Sequence, residues 1–179
     1  MNSHFDKLDW EKNVRTSINS YWTSKLREDC NLKTTLNKLA FDIMEIGKTH
    51  NICDTISNSV KQVKQAVTKA RMATGTYTLQ IHKVKFNQSE LDPTCPICRL
   101  EDETLLHVLT RCSAYNDIRK SQFQILKNLI ISKIGQEKWK SQFINRQIIC
   151  QLIIDCQCLV HAATMTYCQM TRNFFEQLK

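Results

Sequence analysis

Cys95-Pro96-Ile97-Cys98-Arg99-Leu100-Glu101-Asp102-Glu103-Thr104-Leu105-Leu106-His107-Val108-Leu109-Thr110-Arg111-Cys112 is the stretch on which the fold turns. Its spacing is Cys-x2-Cys-x8-His-x4-Cys. Two thiolates separated by two residues reach one tetrahedral ion from a tight turn, and Pro96 suits that turn by fixing φ. His107 and Cys112 supply the other two donors. Three thiolates and one neutral imidazole are soft to borderline ligands that leave no position open for water. The expectation is one structural Zn²⁺ held by Cys95, Cys98, His107 and Cys112 in a CCHC knuckle without a catalytic role. Glu103 to Leu109 reads as a short helix with Asp102 as its N-cap. Positions i and i+5 do not share a face of a regular helix, so this helix must end or distort near Thr110 for Cys112 to swing back. Leu105, Leu106 and Leu109 would pack the knuckle onto the body.

Outward from the knuckle the chain reads as helical. Its 179 residues fit one domain, or one domain with a small module, and 42% are hydrophobic, enough for a core. Three Gly and two Pro are too few for the turns of a β-sandwich or a doubly wound sheet. The fold class expected is mainly α: a helical bundle with the embedded knuckle and a long C-terminal helix. Three regions are drawn: 1–72 helical and linker-like, 73–114 basic segment and knuckle, 115–179 C-terminal helices. Trp10, Val14, Ile18, Tyr21, Trp22 and Leu26 step by three and four along one helix face. Leu32 to Ile46 continues in kind, with Gly47 as a stop. A helix from about Thr55 to Met72 carries the apolar stripe Ile56, Val60, Val63, Val67 and Ala70, opposite Lys61, Lys64, Thr68 and Arg71. Tyr77 to Phe86 reads as extended from its β-branched and aromatic residues. Ile118 to Ile134 is amphipathic and stops at Gly135. From Glu137 onward helical spacing persists to Leu178, and an unbroken helix there would have about 40 residues and span about 60 Å.

The net charge is +8, which suits an anionic partner such as nucleic acid. Residues 61–87 hold Lys61, Lys64, Lys69, Arg71, Lys83 and Lys85 and no acid. Residues 111–140 sum to +5. Tyr77, His82 and Phe86 lie within the first stretch, and rings among cations are what a single-strand stacking surface requires. Against this, Glu90, Asp92, Glu101, Asp102 and Glu103 surround the metal turn, which would make the turn itself a poor phosphate contact. The flanking helices are therefore expected to bind nucleic acid and the knuckle to hold them. Lys61, Lys64, Arg71, Tyr77, Lys83 and Lys85 are the candidate contacts.

Nine cysteines with no secretory signal at the start argue against a disulfide framework and for an intracellular setting, nucleus or cytoplasm. Cys30, Cys53, Cys150, Cys156, Cys158 and Cys168 read as ordinary core or surface thiols. The most apolar stretch, Ile148 to Met165, is interrupted by Gln151, Asp155, Gln157 and His161, so a buried helix is expected rather than a membrane span.

One resemblance joins these pieces. The run Lys69-Ala70-Arg71-Met72-Ala73-Thr74-Gly75-Thr76-Tyr77-Thr78-Leu79-Gln80, followed by Cys95-Pro96-Ile97-Cys98, Glu101 to Thr104, His107 and Cys112, resembles the zinc-binding C-terminal region of non-LTR retrotransposon reverse transcriptases. Tyr21-Trp22-Thr23-Ser24-Lys25-Leu26-Arg27 is similar to the helical linker before that region. The likeness covers about residues 10 to 130. It implies a part in engaging template or target nucleic acid, RNA or DNA. The adjacent aspartates of that family's polymerase centre have no counterpart, since the chain contains no Asp-Asp pair, and its endonuclease set is missing too. The chain looks like a detached, non-catalytic C-terminal piece. No Gly-rich phosphate loop, His-Glu-x-x-His or Gly-x-Ser-x-Gly points to another enzyme class. The competing expectations are a helical module for protein interaction or self-association, with Phe174 and Phe175 near its end, and a transposon relic without a selected role.

Overall fold

The structure is a computed structural model that describes residues 6–33, 36, 38, 39, 44, 46–54, 59–86, 91–155 and 171. Helices carry the architecture, and among these residues the sole β pairing is an isolated antiparallel bridge between Thr94 and Asp102.

Helix α1 (Lys7–Leu32) starts where the Asp6 carboxylate accepts from the Leu8 N–H at 2.9 Å. It ends at Lys33, whose backbone is extended. The expected helical continuation through Ile46 is not found where it can be followed: Leu36, Lys38 and Leu39 lie in turns and a bend, and the remaining residues from Thr34 to Glu45, Met44 apart, lie outside the described set. Gly47 turns the chain with φ +88°, and a Cβ there would stand 3.1 Å from the Asn19 side chain of α1. Helix α2 (Asn51–Asp54) is led in by His50. The His50 ring accepts from the Ile52 N–H at its Nδ1 (3.1 Å), so Nε2 carries the proton that faces the buried Asp155 carboxylate at 3.3 Å.

Helix α3 (Val60–Ala73) corrects the expected facing. Val60, Val63 and Val67 are exposed, and the side turned inward is Gln65, Ala66, Thr68, Lys69, Met72 and Ala73. Both stripes obey helical spacing. The inward one is viable despite Lys69 because that ammonium meets Thr171 Oγ1 at 2.5 Å, 102 residues along the chain. A buried cation must have such partners. The reversal is testable by denaturant titration: Met72→Ala should cost about 2–5 kcal/mol, whereas Val67→Ala should stay within about 0.5 kcal/mol.

Residues Gln80–Lys85 form helix α4, not the extended segment their composition suggests. A carboxylate from the knuckle decides it, since Glu103 Oε2 accepts from the Gln80 N–H at 2.7 Å and caps the helix. Beyond the knuckle, α5 (Asn116–Ile134) stops at Gly135, φ +86°, as its spacing predicts.

The C-terminal helix expected from Glu137 onward is not continuous over the residues described. Its start is divided into α6 (Gln136–Gln142) and α7 (Arg146–Ile154), and Asp155 is extended. Phe143 turns inward to stack on Trp139, with ring centroids 4.8 Å apart. Asn145 then opens α7 by accepting from the Gln147 N–H at 2.8 Å. Residues 156–170 and 172–179, which carry the rest of that expectation along with Phe174 and Phe175, lie outside the described set.

The core gathers Ala73 from α3, Leu109 from the knuckle, Ile130 from α5, and Leu152 and Ile154 from α7, none of them solvent-exposed. The knuckle is thus built into the main core rather than appended to it. No helix among the described residues is long and apolar enough to cross a membrane.

Candidate metal centre

Two local structures bring the four donors together. The first is a short hairpin. Glu103 N–H donates to Pro93 O and Cys95 N–H to Glu101 O, both at 2.8 Å, around the Thr94–Asp102 bridge. The Cys95 to Cys98 turn sits inside it, closed by the Arg99 N–H on Cys95 O at 2.9 Å. Arg99 adopts φ +57°, the one non-glycine residue with positive φ among those described. That conformation is unfavourable for a side-chain-bearing residue, so the hairpin and its turn must hold it.

The second is a helix with a wider turn. Thr104, not Asp102, opens it, accepting at Oγ1 from the His107 N–H at 3.1 Å; Asp102 is held in the bridge instead. From His107 to Arg111 the helix is π-type. Its closing bond runs from the Cys112 N–H to His107 O at 2.8 Å, an i→i+5 contact. This is the distortion the ligand spacing demands: the wider turn sets residue 112 against residue 107, which an α-turn cannot do. An arginine of α5, Arg119, then donates to the Cys112 carbonyl and ties the end of the turn to that helix.

The donor atoms of Cys95, Cys98, His107 and Cys112 all lie within 4.8 Å of one another. His107 Nε2 is 3.2 Å from Cys98 Sγ, and Cys95 Sγ is 4.0 Å from Cys112 Sγ. A tetrahedron with metal–sulfur bonds of about 2.3 Å has edges of about 3.7 Å, within the span of these separations. The cysteines are free thiols, and a 4.0 Å separation is far from a disulfide. Cys95, His107 and Cys112 are buried and Cys98 is partly so. Burial pushes the Cys112 thiol up to about 11. Burial acts the same way on Cys98, but hydrogen bonding from the Leu100 backbone and from Cys112, Cys95 and His107 outweighs it and brings that thiol down to about 7. The group can bind a metal ion, and its donors fit a closed four-coordinate site.

Glu101 supplies what spacing did not reveal. Its carboxylate meets His107 Nδ1 at 3.3 Å and Arg111 at 3.6 Å. With Nδ1–H donating to a carboxylate, Nε2 is left as the lone-pair nitrogen facing the sulfurs. Glu101→Ala should therefore weaken metal binding about 10- to 100-fold, measured by competition with a chromophoric chelator, while the four ligands remain.

The acidic rim also has internal duties. Glu101 orients His107, Asp102 pairs with Thr94, Glu103 caps α4, and Asp92 accepts from the Thr94 N–H at 2.9 Å. Glu90 lies outside the described residues.

The candidate nucleic-acid residues fall in two places. Lys61, Lys64 and Arg71 are exposed on α3, on the same side as its exposed valines or beside them. Tyr77 and Lys83 are partly buried and Lys85 exposed, in and before α4. Lys69, counted in the basic stretch, is fully buried and unavailable to a phosphate. Comparison with protein families, with characterised proteins and with solved structures finds no match to this chain.

Proposed function

We propose that this protein is a non-catalytic nucleic-acid-binding module folded around one structural Zn²⁺, with a role similar to the zinc-binding C-terminal region of non-LTR retrotransposon reverse transcriptases. The observation that carries this reading is the link between the metal centre and the basic segment. Glu103, five residues past Cys98 and four before His107, caps α4, and α4 bears Lys83 and Lys85. A saturated Cys₃His centre has nowhere to bind a substrate, so its contribution is to fix the polypeptide around it. Zinc fits best because it is indifferent to d-electron geometry and favours thiolate and imidazole donors.

Binding should depend steeply on salt. If Lys61, Lys64, Arg71, Lys83 and Lys85 each meet a phosphate, the logarithm of the binding constant should fall against the logarithm of salt with a slope of about −3.5 on a single strand. That is about a hundredfold loss between 50 and 200 mM, read by fluorescence anisotropy of a labelled oligonucleotide. A flat salt response, or no binding, contradicts the proposal.

A second reading has its own observation. Helix α1 has no buried residue over 26 residues, and Trp10, Tyr21 and Trp22 are each more than half exposed. Such a face suits a protein partner or a second copy. Salt-insensitive self-association in sedimentation equilibrium would favour it.

A further inference from the structure

Beside α4 lies a hollow of about 420 Å³ whose walls include Thr76, Tyr77, Thr78, His82, Lys83 and Phe86. Small-ligand sites run from roughly 300 to 1,000 Å³. Its frame is fixed before anything enters. The Thr76 and Tyr77 N–H groups both donate to Arg71 O, at 2.9 and 3.0 Å, which fastens this turn to the end of α3. Tyr77 packs against the main core. The His82 ring is held by Nδ1–H donating to Tyr77 O at 2.8 Å, which leaves Nε2 as the acceptor of the neutral imidazole.

Phe86 is one of the large apolar side chains left exposed. It caps the C-terminal end of α4 and is 82% exposed. Among the described residues it makes no ring–ring contact. An apolar ring kept in water at the mouth of a preformed hollow, with Lys83 in the wall and Lys85 adjacent, matches a planar aromatic ligand that carries negative charge. The nearby carboxylate of Glu103 is already engaged by the Gln80 N–H.

We infer that this hollow receives one unpaired nucleobase of a single-stranded nucleic acid, stacked against Phe86 and Tyr77, with a flanking phosphate on Lys83 or Lys85. This rests on the nucleic-acid reading above and narrows it. A base within a duplex has both faces covered by its neighbours, so only an unpaired one offers a face to the rings. The prediction is a preference for single strands over duplex of the same sequence.

The test uses the full zinc-loaded chain and oligonucleotides containing 2-aminopurine, as RNA and as DNA, free or annealed to a complement. Single strands should bind more tightly than duplex, with quenching of 2-aminopurine emission. Phe86→Ala should weaken single-strand binding about 5- to 100-fold, Phe86→Trp should restore it, and the salt slope should be unchanged because no charge is removed. The exposure of Phe86 keeps both variants folded, checked by circular dichroism. Equal affinity for single strand and duplex, with Phe86→Ala inert, overturns the base pocket while salt-dependent binding keeps the broader reading. No binding of either form overturns both.

Discussion

A Cys112→Ser chain is expected to purify without metal and with residues 93 to 115 unfolded. The side chain is fully buried, its N–H closes the π-turn on His107, and its carbonyl takes the Arg119 guanidinium. Serine preserves the packing volume closely, so the loss reports on the metal rather than on a cavity. The size follows from linkage. A structural zinc contributes an apparent ~10–16 kcal/mol to the folding of small metal modules, against ~5–15 kcal/mol for the whole stability of an ordinary domain. Apart from the metal, the 93–112 segment is held by its backbone hydrogen bonds and by the burial of Val108 and Leu109 in the core. Amide exchange should show protection lost from Cys95 to Tyr115, and α4 should lose its Glu103 cap with it. A folded, protected knuckle in the metal-free variant would show that packing alone holds this segment.

Leu109→Ala should lower stability by about 3–5 kcal/mol, the range for a large aliphatic side chain removed from a close-packed core. Leu109 has no exposed surface and sits inside the π-turn, between two ligands, while belonging to the core shared with Ile130, Leu152 and Ile154. The variant should therefore also bind metal more weakly, since a looser turn no longer holds His107 and Cys112 in register. Paired denaturant and chelator titrations measure both effects. A stability loss with unchanged metal affinity would mean that the centre is set by the hairpin and its ligands alone.

Much of this was legible in the chain. Four donors inside 18 residues leave little freedom, and the demand that position 112 swing back to position 107 already required a broken helix. The π-turn is the form that break takes. Helix α5 was equally plain, because an amphipathic run ends at Gly135 and glycine alone adopts φ +86° there at low cost.

Two of the features that failed to show were decided by distant partners. The inward face of α3 carries Lys69, whose buried ammonium is met by Thr171 from 102 residues away, a contact that helical spacing does not reveal; the valines at helical spacing are the more obvious core from sequence alone. Composition favoured an extended Tyr77 to Phe86, and a carboxylate 23 residues away made its second half helical. Thr104 displaced Asp102 as the cap because Asp102 was already in the hairpin bridge. The break between α6 and α7 had a local signal that helical periodicity masked, an asparagine placed to start a new helix. Glu101 could have been suspected, since it lies six residues before the histidine it orients.

The most direct test of the account is the metal content of the unmodified chain, purified without chelator or added metal and confirmed folded by circular dichroism. The account predicts one zinc per chain, released by a strong chelator with loss of the knuckle's amide protection. A folded chain that carries no metal, and takes up none when titrated with zinc, would contradict it.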